Sequence, residues 1–219
     1  MNKEYQKIET VFQRETHGKN KLLPNVWRSE TVKQLKDIEW IGTEKIDGTN
    51  IRVYWDGHDI SFHGRTDKAQ IPKHLLKYLQ DTFGGEIKEQ IFEQIFGEKE
   101  VILYGEGYGV KIQNGGLYRD DVSFILFDIM VDGYYLDFEN VENIASTLGI
   151  DSVPIVIKGT IEDMISFIAK EQKSTIGKAP MEGVVARPQC TLYDKRGNRI
   201  IVKIKTRDLK NWEEPNDKF

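Results

Sequence analysis

GTEKIDGTNIRVYWDG, residues 42–57, alternates like a strand: Ile46, Ile51, Val53 and Trp55 are apolar, with polar side chains between them. Lys45, Asp47, Gly48, Thr49 and Asn50 crowd its middle. Asp, Gly and Asn favour turns over strands. Two strands, Trp40–Ile46 and Ile51–Trp55, are therefore expected to meet at a tight turn, with Lys45 just before it. Glu44 and Lys45 would point to opposite faces, whereas Asp47 would share the lysine's face and is a candidate salt-bridge partner.

Working outward, the WDGHD run after residue 54 is a hairpin signal leading to a strand at Ile60–His63. The first forty residues are polar and mixed, with a helix expected around Ser29–Asp37. Pro72 opens a helical stretch to Thr82, as proline is tolerated in a first turn. Ile87, Ile91, Ile95 and Phe96 fall at helical spacing before Gly97. VILYGEGYG and VSFILFDIMVDGYYL read as strands, with Asp132-Gly133 closing a hairpin in the second. A helix is expected over Phe138–Leu148, ending at Gly149. VPIVIKG is a strand, and Thr160 with Asp163 opens a helix as a capping box. MEGVVARP and RIIVKIKT are the last strands. Hairpins with helices inserted between them predict an α+β fold with mainly antiparallel sheets and flanking helices.

The chain has 219 residues, enough for one large domain with a sizeable core. A single cysteine, Cys190, excludes an internal disulfide and a cysteine-rich metal site. No apolar run approaches membrane-spanning length, and MNKEYQKIET has no signal-peptide core, so no membrane association and an intracellular setting are expected. The net charge of −4 argues against general polyanion binding. A local basic surface is nonetheless expected in DKRGNRIIVKIKTRDLK, from Lys195, Arg196, Arg199, Lys203, Lys205, Arg207 and Lys210. Alternation places Lys203 and Lys205 on one face of one strand, where two cations suit a phosphate-rich ligand.

Several residues could do chemistry, each with a plainer reading beside it. An ordinary lysine amine is a poor nucleophile at neutral pH, and nearby cations or burial free its lone pair. Lys45 could be such a nucleophile or one half of a surface pair with Asp47. Glu106, between Gly105 and Gly107, could meet a sugar hydroxyl or a metal across glycines that let a ligand approach closely, or sit in a glycine-rich turn. Phe124 and Asp128 would share one strand face, and Phe127 the other with Ile125. Such aromatics are usually core, although a purine can stack on one. Glu182 could orient magnesium through waters or lie in a turn. Arg65 could clamp a phosphate. His17, His58, His63 and His74 form no metal spacing, and no Ser-His-Asp set or phosphate-binding glycine loop is present.

Taken in order, EKIDG, HGRT, LYGEGYG, FILFDI, MEGVV and VKIK resemble motifs I, Ia, III, IIIa, IV and V of the covalent nucleotidyltransferase superfamily, which comprises ATP-dependent DNA and RNA ligases and mRNA capping enzymes. The resemblance spans Thr43 to Lys205. Asn50 within EKIDGTN, the YQKIETVFQR opening and the ILFDIMVDGYYL hairpin are most similar to the nick-sealing, RNA ligase 2-like group. Asp47 departs from that group, in which histidine is frequent at this position.

The resemblance implies an adenylyltransferase fold of ATP-grasp-like type over residues 1–210. Ligases of this superfamily usually carry a further C-terminal domain, whereas here a short tail at 211–219 and no separate C-terminal domain are expected. It implies that Lys45 attacks the α-phosphate of ATP to form lysyl–AMP. AMP then passes to a 5′-phosphate, and a 3′-hydroxyl displaces it to seal the strand. It further implies that Glu44, chiefly through its backbone, and Ile46 line the adenine site. Asn50 and Arg65 would contact ribose or phosphate, Glu106 the ribose, and Phe127 the adenine face. Glu182 and Glu106 would seat Mg2+ or Mn2+, and Lys203 and Lys205 would grip the α-phosphate. The partner it implies is RNA with 5′-phosphate and 3′-hydroxyl ends, nicked duplex among them. DNA ends, and a protein partner supplying a C-terminal module, stay open. The alternatives are a DNA ligase, a capping-type guanylyltransferase, or a catalytically silent nucleotide-binding relative.

Overall fold

A computed structural model describes residues 3–210. The short tail expected at 211–219 lies outside these residues. In chain order the strands and helices are β1 (Glu9–Thr10), β2 (Phe12–Arg14), β3 (Leu22–Trp27), α1 (Glu30–Gln34), β4 (Trp40–Glu44), β5 (Thr49–Trp55) and β6 (Ile60–Gly64). Next come α2 (Lys73–Phe83), α3 (Glu86–Phe96), β7 (Val101–Gly109), β8 (Val122–Val131), β9 (Tyr134–Tyr135), α4 (Phe138–Leu148) and β10 (Asp151–Ser152). The chain closes with β11 (Ile155–Gly159), α5 (Ile161–Ala169), β12 (Gly183–Pro188) and β13 (Val202–Lys205). The fold is α+β, and its sheets are mainly antiparallel; β1 with β13 and β10 with β8 pair in parallel.

Two compact units divide the chain, Met1–Tyr5 with Asp47–Val153, and Gln6–Ile46 with Pro154–Phe219. The first unit is a sheet in the order β10-β8-β7-β5-β6, with β9 paired to β8. Period-two alternation sends Ile51, Val53 and Trp55 of β5 to one face, where they bury against Leu75, Leu79, Phe83 and Phe92 of α2 and α3. A polar cap and a glycine bound α4. Asp137 accepts from Asn140 N–H at the start of α4, and Gly149 ends it in the left-handed conformation.

The second unit is a sheet in the order β1-β13-β12-β4-β11, with a β2–β3 hairpin beside it. β4 is buried at every position, because β12 and β11 flank it. Its core joins Trp40, Val184, Ala186, Val202 and Ile204 to Ile161, Met164 and Ile168 of α5. Thr160 and Asp163 cap α5 reciprocally, as the sequence predicts.

Two strand expectations are corrected. β4 ends at Glu44, not Ile46, and β4 and β5 do not pair as a hairpin. Each has better partners: β12 and β11 take both edges of β4, while β6 and β7 take those of β5. The expectation that Phe124 and Asp128 share a face of β8 is also overturned. A bulge lies opposite the Tyr104–Gly105 step, so Tyr104 faces Asp128 whereas Glu106 faces Ile125. The extra residue, Phe127, breaks the alternation. Asp128 therefore shares a face with Ile125, and Phe124 turns to the core.

Candidate active site

The second unit gathers Glu44, Lys45, Ile46, Glu182, Lys203 and Lys205. Lys45 follows the end of β4, and its N–H bonds to Gly183 O at 2.9 Å. Glu182 immediately precedes β12, and its carbonyl accepts from Thr206 N–H at 2.9 Å. β12 and β13 pair so that Gly183 faces Lys205. These backbone bonds set Glu182 between two ammonium groups: Lys45 Nζ donates to Oε2 at 2.7 Å and Lys205 Nζ to Oε1 at 2.7 Å. The three side chains are 14–23% exposed, so solvent screens the pairs only in part.

Lys45 thus pairs with Glu182 and not with Asp47, whose carboxylate accepts from Asn114 Nδ2 at 2.7 Å. Lys203 and Lys205 do share a face of β13, while Val202 and Ile204 are buried on the other. Ile46 is buried. Glu44 is 1% exposed; its N–H bonds to Pro154 O, and its Oε2 accepts twice from Thr175.

The first unit carries Asn50, Arg65, Glu106 and Phe127. Asn50 stands directly opposite Glu106 across β5 and β7, and its Oδ1 is buried without a hydrogen-bond partner among the described residues. Gly105 and Gly107 do not open room for a ligand. A Cβ on Gly105 would lie 2.2 Å from the Phe124 ring, and one on Gly107 2.5 Å from Leu75 Cδ2. Protein core fills the space the sequence reading left for a ligand. Phe127 is half-buried and meets Tyr5 edge-on, ring centroids 5.0 Å apart. Arg65 is exposed just past β6.

Sequence reasoning missed three participants in these surroundings. Thr175 lies in a loop with no motif signal. Tyr5 donates to the buried Asp128 at 2.7 Å, a contact between residues 123 positions apart. Arg52 is wholly buried, with Nε on Gly64 O at 2.8 Å and a terminal nitrogen on Asp67 at 2.8 Å. Burial, reinforced by the Arg52 charge, pushes the neighbouring His63 imidazole below its ordinary pKa.

Among the described residues no group of three or more His, Cys, Asp and Glu side chains could hold a metal ion. Glu182 is a carboxylate with lysine on both oxygens. That fits a cation held mainly by nucleotide phosphates and water, with one protein oxygen contributing.

A strand-end lysine that shares a carboxylate with a lysine two strands away in the same sheet, in an α+β fold of this topology, defines a nucleotidyltransferase-like arrangement. The RNA ligase family model matches residues 38–205, well over half of the chain. The chain belongs to the RNA ligase family. No curated protein matches it by sequence. Solved structures of Naegleria gruberi RNA ligase share the fold. An apo mutant form superposes with TM-score 0.65 at 18% identity, over 93% of this chain and 56% of that one. A mutant bound to ATP and manganese gives 0.61 at 17% identity, over 80% and 51%. Another, bound to AMP and manganese, gives 0.61 at 17% identity, over 90% and 60%. The chain thus spans little more than half the length of these ligases.

Proposed function

We propose that the protein is an ATP-dependent RNA ligase that works through a lysyl–AMP intermediate. The observation that carries this reading is the bridging of Lys45 and Lys205 by Glu182, each at 2.7 Å. Lys45 Nζ attacks the α-phosphorus of ATP. A P–N bond forms, the bond to the bridging oxygen breaks, and pyrophosphate leaves. The amine must shed a proton, and Glu182 Oε2 is in contact to receive it. Lys203 and Lys205, on one strand, neutralise the charge that builds on the phosphoryl oxygens. A 5′-phosphate oxygen of RNA then takes AMP from the lysine, and a 3′-hydroxyl displaces AMP to seal the strand.

Mg2+ or Mn2+ bound to the triphosphate would supply charge neutralisation, with Glu182 and Glu106 each a candidate oxygen donor to it. Ile46 and Glu44 line the base, Asn50, Arg65 and Glu106 contact ribose and phosphate, and Phe127 stacks on adenine. Residues 1–210 form the nucleotidyltransferase domain. Use of ATP fits an intracellular role in strand repair.

Incubation with labelled ATP and magnesium is expected to add one AMP to the parent, and none to Lys45→Ala. Nicked RNA should then be sealed in preference to nicked DNA. Label from GTP and not from ATP would instead indicate a capping-type enzyme. Absence of label from either, with Lys45→Ala indistinguishable from the parent, would sink the enzyme reading.

A further inference from the structure

The carboxylate of Glu44 is loaded unevenly, and the imbalance bears on which base the nucleotide carries; this inference rests on the nucleotide-binding reading above. Glu44 ends β4 at 1% exposure, and its N–H is consumed by Pro154 O at 3.0 Å. Oε2 accepts from both Thr175 N–H, at 2.9 Å, and Thr175 Oγ1, at 2.5 Å. Oε1 is buried with no hydrogen-bond partner among the described residues. An ionised carboxylate has acceptor positions on both oxygens, and a buried polar atom left unmatched costs about 1–3 kcal/mol. One oxygen is saturated, and the other lacks a donor.

Thr175 is held in place to do this. Its loop, between α5 and β12, is closed at the base by Ser174 N–H on Ala179 O at 2.9 Å and Met181 N–H on Gln172 O at 2.9 Å. Ile176 N–H also bonds to Ser174 Oγ at 3.2 Å. Both Thr175 donors therefore start from a fixed backbone.

We propose that Thr175 is a positioning residue for base selectivity: by filling Oε2 it makes Glu44 a one-oxygen acceptor, suited to a purine with an amino group at position six and unsuited to guanine. Adenine offers that single amino donor. Guanine presents N1–H and its 2-amino group side by side, a donor pair that a free carboxylate takes with both oxygens. It also places a carbonyl where adenine has the amine, and carbonyl and carboxylate oxygens repel. With Oε2 occupied twice, the paired fit is lost and the single-donor fit remains.

The test compares the parent, Thr175→Val and Thr175→Ser in equilibrium binding of ATP, GTP and purine riboside triphosphate, which lacks the 6-amino group, alongside AMP labelling. The parent is expected to bind ATP about tenfold or more tightly than either analogue, the scale of one hydrogen bond to a charged acceptor. Thr175→Val should narrow the ATP-to-GTP gap several-fold, in KM rather than kcat, because Glu44 meets the base and not the reacting phosphorus. Thr175→Ser should restore the gap, and binding of purine riboside triphosphate should stay unchanged in both variants. Equal weakening of all three nucleotides by Thr175→Val would show a merely structural role and overturn the proposal. So would a parent that does not distinguish ATP from purine riboside triphosphate. Selective ATP binding without AMP label would leave this inference standing and remove the ligase reading instead.

Discussion

At the peptide that follows Glu182, backbone conformation and ion pairing meet. Gly183 has φ of +154°, and a Cβ there would lie 2.1 Å from Ile204 O. Both facts require glycine, since the clash is with backbone of the paired strand and cannot be relieved by a rotamer. The same residue accepts the Lys45 N–H and faces Lys205 in register. Gly183→Ala should therefore cost about 2 kcal/mol from local strain alone, lowering Tm by roughly 4–8 °C. AMP labelling should fall more than tenfold at a temperature where the variant is still folded, because β12 and β13 must move apart beside Glu182. Calorimetry with a labelling assay on the same sample checks both; full labelling would mean that Glu182 is not set by this register. The residues of this cluster were legible in the sequence through their motif order. Their contact was not, because Lys45 and Glu182 lie 137 positions apart and no local pattern encodes which carboxylate reaches which amine.

Among the elements, local signals succeeded where they were strong and self-contained. α4 begins and ends where the sequence predicts, since an Asp N-cap and a left-handed glycine bound it within one short window. β2 and β3 escaped notice for the opposite reason. LLPNVW carries a proline and an asparagine with φ of +60°, buries none of its residues fully, and is a strand through pairing with Phe12 and Arg14. The β8 bulge escaped too, because a run of apolar residues reads the same with or without an extra residue. The capping box of α5 gives an element-scale prediction. Asp163 Oδ2 accepts from Thr160 N–H at 2.8 Å, and Thr160 Oγ1 accepts from Asp163 N–H at 3.1 Å. Thr160→Ala should cost about 1 kcal/mol, read from the denaturant midpoint at unchanged m-value. Bonds from Thr160, its side chain first and then its backbone N–H, hold the Asp163 carboxyl below its ordinary range. Its contribution is thus present above the unfolded value near 4 and is lost as pH falls through the lower folded one. The difference between parent and Thr160→Ala should shrink in acid and be unchanged between pH 6 and 8.

For the molecule as a whole, the charge balance has to be reconciled with the polyanionic substrate proposed above. The net charge is −4, and the basic surface expected near the C-terminus is smaller than the sequence count. Arg199 is buried, and Lys205 is committed to Glu182. Lys195, Arg196, Arg207 and Lys210 remain exposed. Lys195 and Arg196 sit on a turn that Asp194 organises, its carboxylate accepting from Arg196 N–H and Asn198 N–H, each at 2.8 Å. Two cations on a braced tip are placed to meet phosphates without reading sequence. Each phosphate contact contributes about 0.7–0.9 to the slope of log K against log salt. If the tip grips the strand being sealed, Lys195→Gln with Arg196→Gln should lower the slope for nicked RNA by about 1.5. Affinity should fall most at low salt and converge with the parent at high salt, where counterion release no longer favours either form. Fluorescence titrations from low to moderate salt measure the slope, and melting curves confirm that the doubly substituted protein keeps its fold. An unchanged slope would place the RNA on another surface, leaving the exposed Arg207 and Lys210 as the next cations to neutralise.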